Sequence, residues 1–387
     1  MESLIKNVSS LEFVDILNQK SIMLTNLGLI EEHINNFKIN KIVIVGMGGS
    51  ILGAKMLYSL NDNTESWIKG ISSIEFIDYI NPDKINQFFN KHNSQSLQHT
   101  LFIFQSKSGN TIETKIIRDY TKSIYTDFKL SSDNNIIIVT DKNSNFDTDN
   151  GSNLKFFIPK NLGGRFSVLS YMGIITAYIA GVDISELLSG ANKCVAEYIS
   201  SKTEVVSDKN SATGLDQVAE KIVSNSQDIA LLNYNHRYDM LNPWLQQLVC
   251  ESLGKAGKEV LPIAFNGPRD QHSILQMLSQ GDTNKMLFFL PPISESDLSV
   301  DNYTYTLKEL ASAQYQGVIQ DLENKYFNFV ELKPDLGVVE GIGYIIIYFE
   351  LLTVALGTLM DINPFDQPGV EFSKTNTRNI LNNLKNN

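Results

Sequence analysis

The chain has 387 residues, 42% hydrophobic and 19% charged, the balance of an ordinary globular protein with room for two or three domains. Lys and Arg number 32 against 43 Asp and Glu, a formal net charge of −11, which argues against nucleic acid as the main partner because a phosphate backbone needs a basic surface. A small anionic ligand stays possible, since backbone N–H groups and a few cations make a loop locally electropositive.

The N-terminal MESLIKNVSS has no positive region followed by a long apolar core, so no signal peptide is expected. No apolar run reads as long enough to cross a bilayer, so no membrane partner is expected either. Short apolar runs at 41–45 (KIVIV), 73–79, 100–104 and 135–141 read as strands, each followed by a turn and a helically spaced segment. A second set follows at 228–234, 259–265, 285–291 and 327–333. Between the sets lie an apolar helical stretch (166–181) and a polar one (185–225). The alternation predicts parallel sheets with crossover helices in two α/β lobes, residues 1–190 and 191–387, with a frayed Asn-rich tail. Cys194 and Cys250 are far apart, form neither a metal pattern nor a disulfide framework, and point to the cytoplasm.

Ligands of such sheets bind beyond the carboxyl ends of the strands, so the loops there carry the chemistry. GMGGSILG (46–53) follows the first strand but misses both nucleotide motifs: Ile51 stands where a dinucleotide fingerprint needs its third glycine, and Ala54 where a P-loop needs Lys. It is either a tight packing turn or a close backbone approach to a phosphate. QSKSGNTIET (105–114) gathers Ser106, Lys107, Ser108, Asn110 and Thr111 at a helix start, with Thr111 a possible N-cap and Glu113 in the first turn, an arrangement suited to an anion. In NLGGRFSVLS (161–170), Arg165 follows two glycines, where it either clamps an anion or caps a helix. QQLVCESLGK (246–255) sets Glu251 in an apolar helix with Gln247 one turn earlier; partial burial would suit a general base, and a surface carboxylate is the plainer alternative. NGPRDQHSILQM offers His272 after a turn, whereas His33, His92, His99 and His236 read as polar-surface or loop residues. INPFDQPGVEFSK (362–374) places Gln367 seven residues before Lys374 at a terminal helix that Asp366 could cap. No metal-ligand cluster and no nucleophile elbow is present in the sequence, so the inventory suits proton transfer on an anionic substrate without metal or cofactor.

Taken in order, GMGGSILG, SKSGNTIET, GGRFSVLS, ESLGK, GPRDQHSILQ and NPFDQPGVEFSK resemble one family, glucose-6-phosphate isomerase (phosphoglucose isomerase). The resemblance implies two flavodoxin-like, doubly wound sugar-isomerase domains acting on glucose 6-phosphate and fructose 6-phosphate. It implies that Gly49 and Ser50 border the sugar, that Ser106, Lys107, Ser108 and Thr111 cradle the phosphate, and that Gln247 and Gln367 line the site. It further implies Glu251 as the base, Arg165 as the stabiliser of the enediolate, and His272 and Lys374 in ring opening. His272 would be donated across a homodimer interface, with Glu113 near it. The chain departs from the family's usual E-S-N-G-K at Leu253, carries Phe372 and Ser373 after the last Glu, and is short for the family. A dual isomerase that also takes mannose 6-phosphate, or a non-catalytic sugar-phosphate sensor, are the alternatives; the sensor would have no use for Glu251, His272 and Lys374 together.

Overall fold

This computed structural model describes residues 4–61, 68, 70–148, 154–200, 214–323, 325, 329–332 and 337–385. Parts of three expected elements lie outside them: 201–213 of the polar helical stretch, 327–328 and 333 of the last strand, and the final two residues of the tail.

Strands β1 (Lys41–Val45), β2 (Ser73–Ile77), β3 (Thr100–Gln105), β4 (Ile136–Asp141) and β5 (Leu154–Ile158) form a sheet of order 2-1-3-4-5, parallel throughout. Strands β6 (Asp228–Asn233), β7 (Pro262–Asn266), β8 (Lys285–Leu290) and β9 (Phe329–Glu331) form a second parallel sheet of order 7-6-8-9, the same winding with one strand fewer. Both orders are doubly wound, so crevices open at the carboxyl ends beside β1 and β6, where the winding reverses.

In the first half the helices are α1 (Glu12–Asp15), α2 (Lys20–Asn36), α3 (Leu52–Tyr58), α4 (Pro82–Phe89), α5 (Ser94–Gln98), α6 (Ile112–Asp127) and α7 (Tyr171–Ala180). There follow α8 (Ile184–Ser200), α9 (Leu215–Ser224), α10 (Leu241–Leu253), α11 (Gln271–Gln280), α12 (Leu307–Glu323), α13 (Val338–Leu359) and α14 (Glu371–Lys385). Strand side chains alternate between two faces. Ile42, Ile44, Leu101 and Ile103 of the first sheet share one continuous apolar cluster with Ile229, Leu231, Met286 and Phe288 of the second, filled between by α7, α8 and α13. Val43, Val45, Phe102 and Phe104 face outward onto α4 and α6, and Leu232, Leu287 and Phe289 onto α12.

Two expectations are corrected. α13 is 22 residues long with a mean hydropathy of 1.9 over its most apolar 18 residues, long and apolar enough to cross a bilayer by length and composition. Its surface is instead covered by protein, with 89% of that window buried. It lies along α8 so closely that a Cβ on Gly190 would fall 1.8 Å from the Glu340 carbonyl oxygen, and one on Gly343 2.0 Å from that of Leu187. Residues 190 and 191, where the two lobes were expected to meet, lie within α8, the helix against which α13 packs. Second, His33 and His92 are buried rather than on a polar surface; each ring bonds a backbone carbonyl, Asn134 O at 2.8 Å and Phe88 O at 2.9 Å.

Candidate active site

The turn after β1 is shaped by what it touches. Gly48 has φ +52°, a left-handed conformation that favours glycine, and a Cβ there would stand 3.0 Å from Gln247 Nε2. A Cβ on Gly49 would lie 2.4 Å from the Gly164 carbonyl carbon and 2.6 Å from Arg165 N, so only glycine lets this turn seat against residues 163–166. Ser50 closes the turn, its amide donating to Met47 O at 3.1 Å.

The loop after β3 is held by β4. Thr140 Oγ1 donates to Ser106 O (2.7 Å), and the Asp141 amide donates to Lys107 O (3.0 Å). Thr111 stands at the N-cap position of α6 but makes no side-chain cap; its Oγ1 instead accepts from Ser106 Oγ at 3.1 Å. The first turn of α6 therefore has no side-chain cap on its amides. Burial lowers the pKa of the half-buried Lys107; Asp141 opposes this, Arg165 adds to it, and Glu12 opposes it.

Arg165 is 1% exposed, and four of its five N–H donors make hydrogen bonds within the protein. Nε donates to Ser252 Oγ (2.6 Å), Nη2 to Pro364 O (2.6 Å) and Asp366 O (3.0 Å), and Nη1 to Gln367 Oε1 (2.9 Å), with Glu251 Oε1 at 3.1 Å from the same Nη1. Burial lowers its pKa while Glu251 and Asp366 hold it up, and a guanidinium remains charged through such shifts. Trp244 Nε1 bonds the Arg165 carbonyl at 3.1 Å, fixing the backbone to α10. Glu251, in the last turn of α10, receives Gln247 Nε2 on Oε2 at 2.8 Å and keeps a quarter of its side chain exposed.

The fold thus brings Arg165, Glu251, Gln247 and Gln367 into direct contact, against Gly48 and Gly49. Beside them a cleft of about 520 Å³ is walled by Ser108, Thr111 and Glu113 on one side and Lys374 on the other. Lys374 pairs there with Glu371 at 2.8 Å. His272 stands apart, exposed at the start of α11, with no side-chain hydrogen bond or ion pair among the described residues. Asp366 does not cap α14; its carboxylate holds Lys255 at 2.7 Å, which lowers its pKa.

Three residues were not singled out from the sequence. Ser252 follows Glu251 directly and is fully buried against Arg165. Lys255 closes the ESLGK motif and binds the 363–366 segment. Arg378 lines the same cleft as Lys374. Its signal in the sequence was its place one helical turn further along one face.

Two doubly wound parallel sheets, with a hydroxyl-rich loop, a buried guanidinium and a carboxylate beyond their strand ends, define a protein of the sugar-isomerase fold. Among solved structures it superposes on a hypothetical protein from Thermus thermophilus (TM-score 0.81, 24% identity, covering 97% of this chain and 91% of that one). It also superposes on a glucose-6-phosphate isomerase from Chlamydia trachomatis (TM-score 0.76, 22% identity, 93% and 74%). The chain belongs to the phosphoglucose isomerase family: the family model matches residues 33–322, and a glucose-6-phosphate isomerase of Campylobacter jejuni is 33% identical over 92% of this chain and 90% of its own length.

Proposed function

We propose that this protein interconverts glucose 6-phosphate and fructose 6-phosphate, the reaction of glycolysis and gluconeogenesis, by proton transfer through an enediolate. The observation that carries the mechanism is the 3.1 Å pair of Glu251 with the buried Arg165, beside the hydroxyl-rich loop after β3. In this reading Ser106, Lys107, Ser108 and Thr111 hold the phosphate, and that binding energy orients the reacting carbons. Gly49 and Ser50 border the sugar, and Gln247 and Gln367 fix its orientation. Glu251 takes the proton from C2 of the open-chain aldose while the C1 carbonyl oxygen receives the electron pair. The proton then returns to C1 as the carbonyl forms at C2, with the hydroxyl proton passing from O2 to O1. Arg165 Nη1 faces the charge that develops, a kind of contact worth on the order of 3 kcal/mol in the transition state. None of these steps draws on a metal.

His272 and Lys374 serve ring opening, with His272 supplied to the neighbouring subunit of a homodimer and Glu113 at hand to orient it; the exposure of His272 supports this. The free thiols Cys194 and Cys250 fit a reducing cytoplasm.

The test is isomerisation of fructose 6-phosphate by EDTA-treated protein in deuterated water, with label read at C2 by NMR. Turnover with deuterium at C2 is expected. Glu251→Gln should keep sugar-phosphate binding and lose about 10²- to 10⁴-fold in kcat, the range for a general base. Unchanged turnover in Glu251→Gln would remove Glu251 from the role of base.

A further inference from the structure

The acceptors that occupy Arg165 raise the question of what holds them. Three of them, Pro364 O, Asp366 O and Gln367 Oε1, belong to the segment between α13 and α14. Asn363, Phe365 and Asp366 of this segment are exposed, so burial alone does not fix it. Lys255 does reach it: Nζ donates to Asn363 O, to Asp366 O at 2.6 Å and to Asp366 Oδ1 at 2.7 Å, and its side chain is 13% exposed. Asn363 Nδ2 ties the same carboxylate at 3.1 Å. The Asp366 carbonyl is therefore shared, with Lys255 Nζ on one side and Arg165 Nη2 on the other. Lys255 also lies four residues after Glu251 and three after Ser252, so one short stretch supplies the carboxylate partner of Arg165, its Nε acceptor and the anchor of its carbonyl cradle.

We propose that Lys255 and the Asn363–Gln367 loop form a lock that positions the Arg165 guanidinium toward Glu251, with Lys255 as a positioning residue that touches no substrate. An exposed ion pair between Lys255 and Asp366 would be worth little by itself. The two backbone carbonyls on Nζ set this contact apart, because they fix the path of the main chain and not only a side chain. The lock also sets where α14 begins, and so where Lys374 enters the cleft. Geometry, not charge, is what it supplies: a shift of about 1 Å in a positioned group costs on the order of 10²-fold in rate.

The lock rests on the role of Arg165 proposed above, and two readouts keep the questions separate. The first is steady-state kinetics on fructose 6-phosphate with Lys255→Met, Lys255→Arg and Asp366→Ala. Lys255→Met is expected to lower kcat about 10- to 100-fold with KM within about threefold. Lys255→Arg should restore most of kcat, and Asp366→Ala should lose less than Lys255→Met, because Asn363 O and Asp366 O still accept. The second is the Arg165 Nε–H resonance, assigned with Arg165→Lys: a slowly exchanging signal in the wild type, lost or fast-exchanging in Lys255→Met at an unchanged melting temperature. An intact resonance in Lys255→Met overturns the lock, as does a kcat within twofold of wild type or a loss matched by the fraction unfolded. A wild type without turnover would instead overturn the isomerase reading, leaving the resonance to decide the lock by itself.

Discussion

Arg165 is the residue on which the site turns, and its chemistry is that of a planar fork. Four hydrogen bonds, two of them to main-chain carbonyls, and an ion pair to Glu251 hold the plane, so a point charge cannot replace it. Arg165→Lys is expected to keep the positive charge and lose about 10²- to 10³-fold in kcat, as loss of a positioned oxyanion donor does. Steady-state kinetics against a melting curve checks this, and a loss below tenfold would mean that charge alone suffices. The sequence marked Arg165 through the two glycines before it and Glu251 through its apolar helix. It named Gln367 but did not mark Ser252 or the Pro364 and Asp366 carbonyls as partners of Arg165, because contacts between segments far apart along the chain leave no local pattern. Leu253, the departure from E-S-N-G-K, is fully buried in the core cluster at the end of α10, so its role there is packing.

Among the elements, the strands were the most legible. KIVIV at 41–45 and the run at 285–291 reappear as Lys41–Val45 and Lys285–Leu290, since a strand covered on both faces shows as a continuous apolar run. α13 was not legible as an element, because a helix apolar on every side has no period to detect and length alone does not show what covers it. Its contact with α8 depends on two backbones approaching at Gly190 and Gly343. Gly190→Ala therefore forces the two helices apart, and a loss of about 1–3 kcal/mol is expected in urea unfolding, the range for overpacking in a dense core. An unchanged midpoint would show that the pair separates freely.

At the scale of the molecule, stability depends on pH through groups the site does not use. Burial lowers the pKa of His33 and His92 below the ordinary imidazole value, with their backbone carbonyl bonds opposing it. The unfolded chain then binds more protons than the native one as pH falls below about 6.5. Their contribution is full above that value and is lost as pH falls through the lowered native values. The melting temperature should drop between pH 7.5 and 5, and the double variant His33→Gln/His92→Gln should flatten that slope. An equal slope would assign the acid sensitivity to other groups.

The sequence by itself determined the α/β class, the two sets of parallel strands and the loops that bear polar chemistry, because all of these are written in local period and in residues adjacent along the chain. The tertiary structure decided the rest. Only folding brings 163–166, 247–255 and 363–367 together around one guanidinium, buries α13 between two sheets, and sets Lys374 across from Ser108 and Thr111. Those relations are contacts between segments distant in sequence, and no local pattern encodes them.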